Sequence, residues 1–199
     1  MNLFSDENTN LLSDGGTVNY YGKIMPAGTA DHWLKMLLEN IDWRNDETFI
    51  FGRRIITKRK VAWYGDRNFE YSYSNTIKQA IIWTADLLAL KEITERKSRA
   101  SFNSCLLNLY HNGNEGVGWH SDAEKDLKEN GAIASLSFGA ERRFLFRNKK
   151  SKETVSIFLE HGSLLVMKDA TQKNWLHRLP PDKSVSKPRV SLTFRTIIF

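Results

Sequence analysis

The feature that most constrains the fold of this chain is a change of hydrophobic period near residue 100. Before it, apolar residues recur at helical spacing over 29–41 and 76–96, which predicts two helices. After it, short apolar or alternating runs are separated by Gly, Asn and Lys turns, which predicts a mostly β C-terminal half, a sandwich or barrel with the helices as a buttress. The predicted strands cover 102–110, 132–138, 142–147, 154–159, 163–168 and 189–198.

Length and composition fit one domain. The 199 residues are 41% hydrophobic and 12% aromatic, which is enough for one sizeable core. The sequence contains no repeat, low-complexity tract or linker. Residues 1–18 are polar and predict a loose N-terminal arm, followed by a single domain over 19–199.

Charge and export signals limit the partners and the compartment. Lys and Arg number 29 against 23 Asp and Glu, an excess that mildly favours a polyanionic partner such as nucleic acid over a merely solvated basic surface. Residues 1–6 lack the regions of a signal peptide, and no apolar stretch approaches the roughly 18 residues of a membrane span. We expect a soluble intracellular monomer without a membrane partner, cytoplasmic in a bacterium or nuclear in a eukaryote.

Three residues form a candidate metal site. His120 and Asp122 occupy alternate positions of an extended segment and therefore share a face, and His177 follows later in the chain. Two histidines and one carboxylate are the ligand set of a mononuclear non-haem Fe(II) site, which leaves positions open for a bidentate 2-oxo acid and O2. A zinc hydrolase, with three protein ligands and a water, is the competing interpretation.

The run 189–195 alternates strictly between two faces. Arg189 and Arg195 share one face with Ser191 and Thr193, and the other face is apolar. A strand that buries its apolar face and turns two arginines toward a cavity predicts an anionic ligand. A dicarboxylate fits, because Arg binds a carboxylate through two parallel hydrogen bonds. A zinc hydrolase has no role for these arginines.

Six segments together carry a family resemblance. At these positions the chain resembles the AlkB family of Fe(II)/2-oxoglutarate dioxygenases, which repair alkylated nucleic acid. It is most similar to the eukaryotic-type branch that acts on duplex DNA. The segments are 60–66, 108–110, 120–122, 133–139, 161–165 and 188–195.

The resemblance implies a fold and a set of cofactor contacts. The fold would be α+β and mostly β, with a double-stranded β-helix (jelly-roll) core over about 100–199, N-terminal buttressing helices and a nucleotide-recognition lid over about 45–75. Fe(II) would be held by His120, Asp122 and His177, with O2 as co-substrate. Contacts to 2-oxoglutarate would come from Asn108, Tyr110, Arg189, Thr193 and Arg195, with Arg195 on the distal carboxylate.

The lid carries the substrate prediction. Residues 49–54 resemble a hairpin that inserts an apolar residue into the duplex, so that Phe51, beside Gly52, would fill the gap left by a flipped base. Arg53 and Arg54 would hold phosphates. An ordinary core position is the alternative for Phe51. The predicted base-pocket contacts are Tyr71, Ser72, Tyr73 and Glu124.

Two positions depart from the family pattern. Ala123 stands where many relatives carry a second Asp, which puts the base preference in doubt, and Thr57-Lys58 replaces the familiar Pro of the lid. The first 45 residues match no part of the pattern.

The sequence therefore predicts oxidative dealkylation of 1-methyladenine and 3-methylcytosine in DNA, a direct-reversal repair with base flipping. One alternative is a 2-oxoglutarate oxygenase that acts on RNA or protein. Another is an inactive module that binds damaged DNA, against which the intact ligand set and Arg195 speak.

Overall fold

Two β-sheets pack face to face in the computed structural model, which describes residues 9–50, 53–73 and 76–198. The larger sheet has the strand order β1-β12-β9-β14-β7-β3-β2 with β6 beside β3, and the smaller has the order β11-β10-β13-β8. A separate two-stranded sheet is formed by β4 and β5. In chain order the elements are β1 (Thr17–Lys23), α1 (Ala27–Asn40), β2 (Arg44–Ile50), β3 (Arg53–Gly65), β4 (Glu70–Tyr73), β5 (Thr76–Gln79), β6 (Ile81–Ile82), α2 (Ala85–Ser98), β7 (Ser104–Tyr110), β8 (Val117–His120), β9 (Ile133–Gly139), β10 (Arg142–Asn148), β11 (Thr154–Leu159), β12 (Ser163–Lys168), α3 (Thr171–Asn174), β13 (Trp175–Leu179) and β14 (Arg189–Arg195).

The space between the two sheets is filled by alternate residues of each. Phe146 and Trp175 of the smaller sheet are fully buried and pack in one cluster with Leu165 and Met167 of the larger sheet. Successive strand residues point to opposite faces, so this apolar layer leaves the intervening residues of β10 and β13 on the outer face of the smaller sheet. The mostly β, two-sheet arrangement confirms the predicted jelly-roll fold class.

The two long helices pack on the other face of the larger sheet. Leu37 of α1 and Leu87 of α2 belong to one buried cluster with Leu136 of β9 and Leu192 of β14. Because β9 has the inter-sheet layer on one side and the helices on the other, six of its seven residues are buried. That double burial explains why every residue of 132–138 is either apolar or a small serine.

The second helix begins later than its apolar pattern predicts. The pattern extends over 76–96, whereas α2 starts at Ala85 and residues 76–79 form β5. The side-chain oxygen of Thr84 accepts a hydrogen bond from the Leu87 backbone nitrogen at 3.3 Å. This N-cap fixes the start of the helix.

Residues 9–18 differ from the predicted loose arm. The Asn10 side-chain oxygen accepts hydrogen bonds from the backbone nitrogens of Leu12 and Val18, at 3.1 and 2.8 Å, and Trp175 Nε1 donates to the Asp14 carbonyl. Leu12 and Val18 are buried in the inter-sheet cluster, so this part of the predicted arm is fixed to the core.

The β2–β3 hairpin extends away from the larger sheet. The first residues of β3 pair only with β2, and its second half, from Lys60 to Gly65, pairs with β7. Ile50 pairs with Arg53, and the predicted wedge residues Phe51 and Gly52 lie outside the described residues. No helix in the described ranges is both long enough and apolar enough to cross a bilayer.

Candidate metal centre and cavity

The predicted metal ligands meet where two strands of the smaller sheet pair. His120 ends β8 and lies directly opposite His177 of β13, with their ring centres 4.3 Å apart. Asp122 follows two residues after His120, beyond the end of the strand. One ligand atom from each of the three residues lies within 4.8 Å of the others, so the three can bind one ion.

The protonation states of Asp122 and His177 suit a metal. Burial opposes ionisation of the Asp122 carboxyl, but the positive Arg195 and the two imidazoles outweigh it and lower its pKa below the ordinary value. Burial lowers the pKa of His177 to about 4, so its imidazole is neutral at physiological pH. A carboxylate and a neutral imidazole are the forms that bind a metal.

Neighbouring groups orient these ligands. His120 Nδ1 donates to the Gly118 carbonyl at 2.9 Å, which leaves Nε2 as the free ligand atom. The Asp122 backbone nitrogen donates to Gln172 Oε1 at 2.9 Å, and Lys149 Nζ donates to the Gln172 carbonyl at 2.9 Å and to Ser121 Oγ. Two histidines and one carboxylate on one side of a cavity fit Fe(II), with coordination positions left for small ligands.

A cavity of about 530 Å³ opens beside the triad. That volume lies within the usual range for sites that enclose a small molecule. Eight predicted site residues line it together with residues that the sequence analysis did not assign to the site. The predicted ones are Asn108, Tyr110, His120, Asp122, Glu124, His177, Thr193 and Arg195; the others include Asp46, Arg59, Ser135, Phe144 and Met167.

The two arginines of β14 occupy different environments. Arg195 Nη2 donates to Asp122 Oδ1 at 2.9 Å, so Arg195 lies at the metal end of the cavity. Arg189 is 1% exposed and does not line the cavity; its Nη2 donates to Ser137 Oγ at 2.7 Å and its Nη1 to the Leu159 carbonyl at 3.3 Å. Arg195 thus contacts a predicted metal ligand, and its expected contact with the distal carboxylate of 2-oxoglutarate stays a prediction.

Arg189 is a second candidate for the contact with the distal carboxylate of 2-oxoglutarate. It pairs in register with Tyr110, which lines the cavity, and the pKa of its guanidinium is lowered to about 10 by burial, so the group stays cationic. Its Nε has no hydrogen-bond partner within the described part of the chain. A buried cation beside a cavity-lining tyrosine is a suitable partner for a carboxylate.

The wall formed by β3 contains a buried ion pair that the sequence analysis missed. Arg59 Nη2 donates to the Asp46 carboxylate. Burial opposes the charge of Arg59, but Tyr110 and Asp46 raise its pKa above the ordinary value. Arg59, Val61 and Trp63 all line the cavity, and their alternate spacing in the sequence is the signal that could have found them.

The predicted base contacts are only partly located. Glu124 lines the cavity, and its Oε2 is buried with no hydrogen-bond partner among the described residues. Arg53 lies in β3, and residues 71–73 lie in β4. Their roles, like that of Phe51, stay predictions.

Comparisons with known proteins agree with this geometry. The family model described as the 2OG-Fe(II) oxygenase superfamily matches residues 17–195. The chain is 39% identical over 186 residues to the human alpha-ketoglutarate-dependent dioxygenase alkB homolog 3, covering 89% of this chain and 65% of that protein. It is 38% identical over 157 residues to the human DNA oxidative demethylase ALKBH2, covering 75% of this chain and 60% of that protein.

Solved structures show the same fold. The structure of OsALKBH1 superposes with a TM-score of 0.60 at 15% identity, covering 93% of this chain and 99% of the other. At that identity the match concerns the fold alone. The chain spans less than two thirds of the length of the two human relatives.

Proposed function

The chain belongs to the 2OG-Fe(II) oxygenase superfamily and, within it, to the AlkB family, and from this we propose that it is an Fe(II)- and 2-oxoglutarate-dependent dioxygenase that removes alkyl groups from nucleic-acid bases. The observation that carries the proposal is the convergence of His120, Asp122 and His177 at the wall of a cavity large enough for a co-substrate and a base. The names of both human relatives describe activities of this kind for those proteins.

Bound Fe(II) would supply the activation of O2, with 2-oxoglutarate converted to succinate and CO2. The alkyl carbon attached to the base nitrogen would be oxidised to an unstable hemiaminal. The hemiaminal would then release an aldehyde. His120 and His177 would offer imidazole nitrogens, and Asp122 a carboxylate that Arg195 holds in one orientation. The Arg195 guanidinium also offsets the negative charge of Asp122 inside the protein.

The co-substrate would lie against the cavity face of the paired strands β7 and β14. Arg189, beside Tyr110, would receive the distal carboxylate, because Arg195 is already bonded to Asp122. Asn108 and Thr193 line the same cavity and would contact the co-substrate from its walls. This arrangement revises the expected role of Arg195 and retains the expected set of residues.

The base would enter from the side of the lid, proposed as residues 45–75. Glu124 lines the cavity and has one buried carboxylate oxygen without a hydrogen-bond partner among the described residues, and such an acceptor favours a cationic or amino-bearing ligand. 1-Methyladenine and 3-methylcytosine are cationic lesions with that chemistry, and we propose them as the substrates. We further propose that Phe51, beside Gly52, fills the gap left by the flipped base. Arg53 would hold phosphates, and residues 71–73 would line the base pocket.

The proposal is tested by turnover of methylated oligonucleotides. Purified protein with Fe(II), 2-oxoglutarate and O2 should release formaldehyde and restore 1-methyladenine and 3-methylcytosine, measured on single-stranded DNA, duplex DNA and RNA. Asp122→Ala should abolish turnover, because the metal loses its only carboxylate ligand. Glu129→Gln removes an exposed carboxylate from the same loop and should leave turnover unchanged.

Two results would contradict the proposal. Wild-type protein that binds methylated oligonucleotides without consuming 2-oxoglutarate would instead be a damage-binding module. If the protein consumed 2-oxoglutarate but no methylated nucleic acid increased the rate, its substrate would not be a nucleic acid.

A further inference from the structure

Asp122 is the metal ligand whose position the sheets do not fix. His120 ends β8 and His177 lies in β13, so the pairing of these strands sets the two histidines relative to each other. Asp122 lies in the loop beyond β8. Besides the first cavity it borders a second one of about 510 Å³, which is lined mostly by polar and charged residues. The backbone at Asp122 is therefore held by hydrogen bonds from neighbouring groups.

The short helix α3 is the support for those hydrogen bonds. Thr171, its first residue, is 1% exposed. The Thr171 Oγ1 accepts a hydrogen bond from the Thr17 backbone nitrogen at 2.9 Å and donates to the Lys168 carbonyl at 2.6 Å. These two bonds fix the helix to β1 and β12. Because β13 begins directly after α3, the same helix is continuous with the strand that carries His177.

Gln172 connects this helix to the loop of Asp122. Its Oε1 accepts a hydrogen bond from the Asp122 backbone nitrogen at 2.9 Å, and its Nε2 donates to the sulfur of Met167 at 3.4 Å. Met167 is buried in β12. An amide that is bonded at both ends keeps one orientation, so the acceptor for the Asp122 backbone is fixed in place.

Lys149 connects the same two segments from the turn after β10. Its backbone nitrogen donates to the Asn174 carbonyl at 2.8 Å. Its Nζ donates to the Gln172 carbonyl at 2.9 Å and to Ser121 Oγ at 3.2 Å, and Ser121 is the neighbour of Asp122 in the chain. One ammonium group therefore joins the ligand loop to the helix that precedes β13.

The charge of Lys149 acts against its position near the metal centre. The pKa of His177 is lowered mainly by burial, and the positive charge of Lys149 adds to this effect. A positive charge close enough to influence a ligand also opposes the binding of a divalent cation. Any benefit that Lys149 brings to the metal centre therefore comes through its hydrogen bonds, and the two effects have opposite signs.

We propose that Lys149 and Gln172 are positioning residues of the metal centre, which hold the backbone at Asp122 where its carboxylate reaches the same ion as the two histidines. Neither residue would touch the metal. The inference rests on the proposed function only in taking His120, Asp122 and His177 as ligands of one divalent ion. Loss of groups that orient a ligand from outside the ligand set weakens metal binding about 10- to 100-fold.

The first experiment measures Mn(II) affinity by isothermal titration and the visible absorption spectrum of bound Co(II), without 2-oxoglutarate or nucleic acid. Gln172→Leu should weaken Mn(II) binding about tenfold and change the Co(II) spectrum at saturating metal, because the Asp122 backbone nitrogen loses its acceptor. Gln172→Glu retains an acceptor oxygen at the same distance along the side chain. It should bind Mn(II) within about threefold of wild type and keep the Co(II) spectrum.

The second experiment uses the opposing signs at Lys149. Loss of its charge alone would strengthen Mn(II) binding, whereas loss of its hydrogen bonds should weaken it, and we expect Lys149→Met to bind about tenfold more weakly. Lys150→Met is the matched control, because Lys150 is the next residue and is exposed, and it should change affinity by less than about twofold. Ser121→Ala should weaken binding in the wild type and have no further effect in Lys149→Met, since the shared hydrogen bond is already lost.

Thermal unfolding of the metal-free variants checks that each is folded, and Gln172→Asn, whose shorter amide remains polar, replaces Gln172→Leu if that variant does not fold. Unchanged or stronger Mn(II) binding in Lys149→Met would overturn the role of Lys149. Wild-type affinity together with the wild-type Co(II) spectrum in Gln172→Leu would overturn that of Gln172. Equal losses in Gln172→Leu and Gln172→Glu would do so too, because the acceptor oxygen would then not be the cause.

The outcome is separable from that of the proposed function, because Mn(II) and Co(II) binding requires neither co-substrate nor nucleic acid. Metal binding that depends on Lys149 and Gln172, in a protein that dealkylates no oligonucleotide, would leave the positioning role standing and remove the proposed reaction. Dealkylation by a wild-type protein whose Lys149→Met and Gln172→Leu variants bind Mn(II) normally would do the reverse.

Discussion

Arg195 forms a contact with a metal ligand that the sequence did not predict. Its guanidinium donates to Asp122 Oδ1 and is the largest favourable influence that lowers the pKa of that carboxyl. A group that orients a metal ligand contributes to metal affinity even though it does not touch the metal. Arg195 is therefore a positioning residue for Asp122.

Arg195→Gln should weaken divalent metal binding about 10- to 100-fold, because Asp122 loses both its orientation and its compensating charge. Isothermal titration with Mn(II), in the absence of 2-oxoglutarate, measures this directly. Arg189→Gln is the comparison on the same strand, and because Arg189 does not contact the triad it should leave metal affinity within about twofold. Equal losses in the two variants would show that Arg195 acts through the strand and not through Asp122.

The sequence predicts which residues share a face better than it predicts where along a strand each one acts. The alternation of 189–195 correctly placed Thr193 and Arg195 at the cavity wall. It could not show that Arg195 bonds to Asp122, because that contact depends on where the loop after β8 lies. It also missed Arg59, whose long-range partner Asp46 comes from a neighbouring strand.

At the scale of elements, strands β8 and β13 carry the metal ligands and were the least visible in the sequence. β8 contains only Val117–His120, with a glycine, and β13 reads as a short mixed run. Their pairing, with His177 opposite His120, is a tertiary fact that local pattern does not encode. The longer runs 154–159 and 163–168 match β11 and β12 in both boundaries, because alternating or apolar runs bounded by turns give a strong local pattern.

The start of α2 is fixed by its cap, and this can be tested. Thr84→Ala should lower the free energy of unfolding by about 1 kcal/mol, because the side-chain oxygen that accepts from the Leu87 nitrogen is lost. Urea denaturation followed by circular dichroism measures the change. Thr84→Ser retains the oxygen and should recover most of the stability. If Thr84→Ser loses as much as Thr84→Ala, the methyl group and not the cap stabilises this end.

At the scale of the whole molecule, the candidate site joins the two sheets. His120 and His177 belong to the smaller sheet, whereas Asn108, Thr193 and Arg195 belong to the larger one. A metal and a co-substrate bound in this cavity would therefore connect the sheets across the inter-sheet core. Ligands that bind only the folded protein raise its stability by mass action.

This arrangement predicts how Mn(II) and 2-oxoglutarate should act together on thermal stability. At concentrations about 100 times its dissociation constant, each ligand adds about 2.7 kcal/mol, or roughly 5–10 °C in Tm for a chain of this size. Anaerobic differential scanning fluorimetry should show a shift with Mn(II) and a further shift when 2-oxoglutarate is added, but little shift with 2-oxoglutarate alone, because its binding requires the metal. Asp122→Ala should abolish both shifts. Arg189→Gln should retain the first and lose the second, since its guanidinium is the proposed partner of the distal carboxylate. A full second shift in Arg189→Gln would assign that carboxylate to another residue of the cavity.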